Sequence, residues 1–249
     1  MARTLERWQL VERSIHKKYR KEIWTPFITA VRRYSLLAPG DRVAVALSGG
    51  AASLLLAELA RTLERFTETP FQAKFVALNP PPSLMETAEQ LRLPLLSFED
   101  PSAPRDRAPV QRLIEIARAQ GCGKLALGQC QTDVIESTVT RMFCGGALRA
   151  IPPKQRLGDM ELIRPLYLIP DEIISAWRRY NALECAPARD PSPTRAATKA
   201  LLMNLRRTHP DIDKCVFSAV HSVWIDTFPR QTAQGETHSF LEHYYDWEE

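Results

Sequence analysis

The chain has 249 residues, a net charge of +4, an isoelectric point near 8.9, and 45% hydrophobic against 25% charged residues. That balance is ordinary for a globular chain, so disorder is not the default, and the length suits one large domain with helical extensions or one and a half domains. No apolar run approaches the ~20 residues of a membrane span, and Met1–Leu10 has no apolar secretory stretch, so a cytoplasmic protein is expected.

Residues 5–36 read as helix with Pro26 as a kink, because Leu10, Ile15, Tyr19, Ile23, Phe27 and Val31 recur at helical spacing. Pro39-Gly40-Asp41 is a turn. Arg42–Leu47 is short, apolar and β-branched, a buried strand. Ser48-Gly49-Gly50 follows at once, and Ala51–Arg65 is an Ala- and Leu-rich helix. Phe71–Leu78 is a strand, Glu86–Leu91 a short helix, and Leu93–Phe98 a third strand. Glu99–Pro109 reads as a loop. Val110–Gln120 is a helix stopped by Gly121. Lys124–Leu127 is a fourth strand, Thr132–Phe143 a helix, and Glu161–Ile163 a short strand.

Pro170–Tyr180 is a helix with proline near its start. Cys185–Pro193 is a loop, and helices cover about 195–207 and 212–222. The tail 226–249 reads as irregular. Strands alternating with helices predict an α/β fold, a doubly wound and mainly parallel five-stranded sheet with N- and C-terminal helical extensions. The expected division is a helical arm at 1–38, a nucleotide-binding domain at 39–185, and a helical lobe with tail at 186–249.

Strand, Ser-Gly-Gly and helix form the most informative local feature. Glycines let the backbone turn sharply and approach a ligand. The following helix offers N–H groups and a positive dipole end to an anion. Ser48 and Ser53 add hydroxyls. No Gly-Lys-Ser/Thr follows, so this is not a Walker A loop. A plain tight turn remains the alternative on these residues alone.

The loop Ser48-Gly49-Gly50-Ala51-Ala52-Ser53 resembles SGGxDS, the pyrophosphate loop of the PP-loop ATP pyrophosphatases. Arg13–Trp24, Gly40–Gly50, Lys124–Ser137 and Met160–Glu184 extend the resemblance to the tRNA 2-thiocytidine biosynthesis family over roughly residues 13–245. Under that resemblance Ser48, Gly49, Gly50, Ser53, Leu78 and Gly128 hold ATP with Mg²⁺, and tRNA is the partner. Members of the family adenylate a tRNA cytosine and replace its oxygen with sulfur, many with a [4Fe–4S] cluster on three cysteines.

The chain departs from the family pattern. Ala52 stands at the loop aspartate, and Ala51 where lysine is usual. The family's C-x-x-C falls at Ser102 and Arg105, which are not soft sulfur ligands, so no iron–sulfur cluster is expected. The third family cysteine lies near Cys185. The element G-H-H-x-D-D has become Gly128-Gln129-Cys130-Gln131-Thr132-Asp133, keeping Gly128, Asp133 and Glu136.

Cys130, Asp133 and Cys185 are the candidate catalytic residues. Asp133 reads either as a metal carboxylate or as a first-turn acid of a helix. Cys130 reads as a reactive thiol or as a small buried hydrophobe. The five cysteines show no paired spacing, which argues for reduced thiols.

Residues 1–33 carry nine Lys or Arg against three Glu. A solvated helix face and an RNA track both fit, the latter through Lys17, Lys18, Arg20 and Lys21 with Tyr19 and Trp24 for stacking. Lys154 and Arg164 match the family's P-P-K and R-P-L, as phosphate contacts or, for Arg164, as an ion-pair partner. Arg195, Lys199, Arg206 and Arg207 form a second basic segment.

Three functional expectations follow: a catalytically impaired relative retaining nucleotide or tRNA binding; an active ATP-dependent tRNA sulfurtransferase using a persulfide on Cys130 or Cys185; and a non-catalytic partner of an intact paralogue, as heteromer or homodimer. No membrane association is expected.

Overall fold

The computed structural model describes residues 5–67, 70–102, 110–186, 192–224, 228–233 and 236–239. It divides into two compact units, Met1–Leu201 and Leu202–Glu249. Among the described residues no helix is long and apolar enough to cross a membrane.

The first unit is a six-stranded α/β sheet. Its strands are β1 (Arg42–Ala46), β2 (Gln72–Leu78), β3 (Leu95–Phe98), β4 (Lys124–Ala126), β5 (Lys154–Leu157) and β6 (Met160–Ile163), in the order β3-β2-β1-β4-β6-β5. All neighbours are parallel except β5 and β6. Side chains alternate across β1 as the pleat requires. Val43 and Val45 join one core cluster with Leu55, Leu59 and Trp177, whereas Ala44 and Ala46 join a second with Leu113 and Ala117. The sheet is therefore covered on both faces, as a doubly wound fold demands.

Six strands replace the expected five. The missed strand, β5, has the sequence Lys-Gln-Arg-Leu and lies exposed at the sheet edge, so no apolar pattern announces it. It turns into β6 through Gly158-Asp159, with Gly158 at φ +64°, a left-handed position suited to glycine in a two-residue hairpin.

Helices α3 (Ala51–Phe66), α4 (Pro82–Gln90), α5 (Val110–Ala119), α6 (Gln131–Cys144) and α7 (Asp171–Tyr180) follow the strands. α4 begins earlier than expected because Pro82 occupies its first turn, where a missing N–H costs nothing.

The N-terminal arm is α1 (Arg7–Lys17), a π-helical segment Arg20–Trp24, and α2 (Thr25–Arg33). The expected kink at Pro26 is displaced. The helix changes at Lys18–Tyr19, and Pro26 sits in the first turn of α2 without breaking a bond. Ile15, Ile23 and Phe27 are buried, worth about 1.5–3 kcal/mol each. Ser14 Oγ accepts hydrogen bonds from Trp177 Nε1 at 3.1 Å and Asn181 Nδ2 at 3.0 Å, which keys the arm to α7.

Helix α8 (Pro193–Thr208) contains the boundary between the units. Within the second unit Arg206 pairs with Asp213 of α9 (Ile212–His221) at 2.8 Å. The tail, expected to be irregular, holds an antiparallel pair, β7 (Arg230–Ala233) and β8 (Glu236–Ser239). Its residues are mostly polar, so hydrophobic alternation gave no strand signal.

Candidate nucleotide site

Strand order reverses beside β1: β2 and β3 lie on one side and β4 on the other. In such sheets the crevice above the carboxyl ends of the diverging strands receives the ligand. The two segments singled out by sequence, Ser48–Ser53 after β1 and Gly128–Asp133 after β4, both leave the sheet there.

Gly49 takes φ +84°, and Gly50 precedes α3 in extended conformation. A Cβ on Gly49 would lie 3.0 Å from Pro81 Cγ and 3.3 Å from Ala186 Cβ. Conformation and space both call for glycine. The Ser48 N–H donates to Ser53 Oγ at 3.2 Å, and the Ser53 hydroxyl donates to Gly50 O at 2.8 Å. These bonds fold the loop over the start of α3. No side chain caps α3, so its leading N–H groups and dipole remain for an anion.

Gly128 packs against this helix start. A Cβ there would meet Ser53 N at 3.1 Å and Ala52 C at 3.2 Å. The backbone after β4 thus closes on the backbone after β1. Leu78, at the end of β2, is half-buried. It leads into Asn79, at φ +47°, whose amide exchanges hydrogen bonds with the Asp100 backbone at 2.9 Å each way.

Cys130 and Asp133 form a reciprocal cap on α6. The Asp133 carboxylate accepts the Cys130 N–H at 3.0 Å and the thiol at 3.3 Å. Sulfur here takes the place of the hydroxyl in a capping box. Burial, followed by the Asp133 charge, pushes the Cys130 thiol far above its ordinary range, which disfavours a thiolate. Cys130 is buried at the start of α6.

Asp133 Oδ1 also accepts Arg195 Nη2 at 2.7 Å. The same guanidinium reaches the buried Glu136 at 3.2 Å, and Lys199 approaches Glu136 at 3.7 Å. Thr140 Oγ1 lies 2.9 Å from Thr198 Oγ1, a second tie between α6 and the start of α8. Arg195 and Lys199, part of the second basic segment, are engaged with the two carboxylates that match the family pattern. Their position just after the proline at 193 carried no signal for this pairing.

Cys185 is half-buried, and its thiol is raised by burial and partly offset by Arg178. The adjoining Ala186 N–H donates to Gly49 O at 2.9 Å, and Thr87 donates to Glu184 O at 3.1 Å. Cys185 is thereby held next to the glycine loop, a relation that sequence reading missed. Ser102 donates to Asp100, with its backbone N–H at 2.9 Å. Arg105 lies outside the described residues.

Lys17, Lys18, Arg20 and Lys21 are exposed along the arm, whereas Tyr19 is buried and Trp24 half-buried. Lys154 Nζ donates to Ser35 O at 3.2 Å. Arg164 is buried, with Nε on Gln129 Oε1 at 2.5 Å and Nη1 on Pro152 O at 2.8 Å. Its guanidinium braces the segments after β4 and before β5 from inside the fold.

No protein-family model matches the chain. It is 28% identical over 241 residues to the tRNA-cytidine(32) 2-sulfurtransferase of Alkalilimnicola ehrlichii, covering 85% of this chain and 75% of that protein. The same enzyme of Citrifermentans bemidjiense is 29% identical over 227 residues, covering 78% and 87%. The chain is thus similar over most of its length to tRNA-cytidine(32) 2-sulfurtransferases. Its fold is similar to that of the U34-tRNA thiolase NcsA from Methanococcus maripaludis, with a TM-score of 0.61 and 15% identity, covering 84% of this chain and 81% of that one.

That thiolase was solved with its [4Fe–4S] cluster. The expectation that this chain carries no iron–sulfur cluster is therefore withdrawn, since a protein of similar fold holds one. Among the described residues no three His, Cys, Asp or Glu side chains gather as a metal site.

Proposed function

We propose that this chain is a tRNA-directed PP-loop protein of tRNA 2-thiolation, which holds adenine nucleotide at Ser48–Ser53 and has weakened sulfur-transfer chemistry. Cytoplasmic tRNA is its partner. The observation that carries the reading is the glycine loop at the switch point, backed by Gly128 and followed by an uncapped helix start. Backbone N–H groups can grip phosphate there without a side-chain charge.

Ser48, Gly49, Gly50 and Ser53 form the cradle, with Leu78 and Gly128 at its rim. The weakened chemistry is supported by Ala52, which supplies no carboxylate to a metal, and by Asp133 and Glu136, which are engaged with Arg195 and Lys199. Asp133 and Cys130 then act as the cap that holds α6 in place.

Incubation of the full chain with tRNA transcript, ATP, Mg²⁺ and sulfide tests the reading. Retained tRNA and ATP binding with little AMP and no 2-thiocytidine is expected. Efficient 2-thiocytidine formation overturns the weakened chemistry but leaves the binding roles.

One observation favours a second reading, an active sulfurtransferase with Cys185 as sulfur carrier: the hydrogen bond from Ala186 to Gly49 holds Cys185 beside the loop. When a persulfide donor loads Cys185 by sulfane exchange and an added thiol reduces the disulfide left on transfer, thiolated tRNA forms and is lost in C185S but not in C130S.

A further inference from the structure

The junction of the arm with α7 carries a feature that the nucleotide site does not use. Tyr180, the last residue of α7, is 55% exposed. Lys18 Nζ stands 3.7 Å from the centre of its ring, and the buried Tyr19 meets it edge-on with centroids 5.9 Å apart. The Ser14–Trp177–Asn181 bonds fix this junction one turn away. Arg7 adds a bond to Asn181 O.

The π-helical segment Arg20–Trp24 lies beside this junction. Tyr19, at the start of this segment, is buried, while Lys17, Lys18, Arg20 and Lys21 are exposed. Exposed Arg179 adds a further cation beside Tyr19, against Glu22 as the acid acting on the same ring. An exposed ring, met at its edge by Tyr19 and on one face by Lys18, on an arm with further exposed lysines, is the chemistry that takes an unpaired nucleobase with its phosphates.

We propose that Tyr180 is a stacking platform for an unpaired RNA base, with Lys17, Lys18 and Lys21 as contacts for the flanking phosphates. This deepens the RNA-directed reading above and rests on it. Tyr180 supplies the flat face, and the lysines supply salt-dependent, sequence-independent attraction. An acidic peptide would satisfy the lysines but offers no π-face to the ring.

The test is RNA binding by the full-length chain, with a tRNA transcript and a single-stranded oligouridine as separate probes. Y180A is expected to weaken binding about tenfold with an unchanged melting temperature, and Y180F to bind as the wild type does. K17A/K21A is expected to lower the slope of log affinity against log salt by about 1.4 on the single strand, whereas Y180A leaves the slope unchanged.

A Y180A chain that binds both RNAs as tightly as wild type overturns the platform and leaves the tRNA reading intact. Loss of oligouridine binding in Y180A, with no wild-type affinity for tRNA, supports the platform and removes tRNA from the function. Wild-type protein that binds neither RNA overturns both.

Discussion

Arg195 Nη2 sits 2.7 Å from Asp133 Oδ1 and 3.2 Å from Glu136 Oε2, one guanidinium between two acids. At an ATP site such carboxylates ordinarily meet a divalent cation. Here a cation from the chain itself neutralises them. In R195A an incoming phosphate would face uncompensated carboxylates. ATP binding is expected to become about fivefold more dependent on Mg²⁺, corresponding to ~1 kcal/mol of repulsion across a partly exposed site. Calorimetric titrations with Mg²⁺ and with EDTA measure this; equal ratios in wild type and R195A would refute it.

Gly128 admits no side chain without moving Ser53, whose N would lie 3.1 Å from the new Cβ. G128A is expected to destabilise the fold by about 1–3 kcal/mol through overpacking and to weaken ATP binding as the loop shifts. Urea unfolding and ATP titration of the same sample check both effects. A variant with wild-type stability would show that the two backbones separate easily.

Glu58 of α3 is fully buried, with Arg61 on one oxygen and, among the described residues, no partner on the other. Burial outweighs the ion pair and pushes its carboxyl from the ordinary 4.5 up to about 7. Between those values the folded chain keeps a proton that the unfolded chain has lost. Stability from this group is therefore full below about pH 4.5, falls as pH rises from there to about 7, and levels off above, by ~3 kcal/mol in all. E58Q is expected to flatten that decline and to be more stable than wild type at pH 8. Unfolding midpoints from pH 4.5 to 8 supply the comparison, and parallel pH profiles would contradict it.

The thiols differ sharply in setting. Cys144 and Cys215 are exposed, whereas Cys130 is buried and bonded to Asp133. Brief alkylation at pH 8 followed by peptide mass analysis is expected to modify Cys144 and Cys215 first and Cys130 last. Rapid labelling of Cys130 would restore it as a nucleophile.

Much of this site was legible in the sequence because its signals are local. A β-branched run, two glycines and an Ala-Leu helix define β1, the loop and α3 within Arg42–Phe66. Gly128 at the end of β4 followed from the resemblance. What escaped depends on contacts across the chain. Arg195 meets Asp133 across 62 positions, and Ala186 meets Gly49 across more than twice that span. Strand β5 escaped because its residues are polar and pair only at the edge. The π-helical turn escaped because apolar spacing continues through it, so periodicity placed the break at Pro26 instead of Tyr19.

The central claim is that the Ser48–Ser53 backbone holds a nucleotide. Calorimetric titration of the full chain with ATP and Mg²⁺, beside G49A, tests it most directly. Gly49 stands at φ +84° with Pro81 Cγ 3.0 Å from the added Cβ, so alanine there must distort the loop. Saturable binding by wild type that weakens at least about tenfold in G49A, with both chains folded, is the predicted result. No binding by wild type at millimolar ATP, or equal binding by the two, would contradict the account.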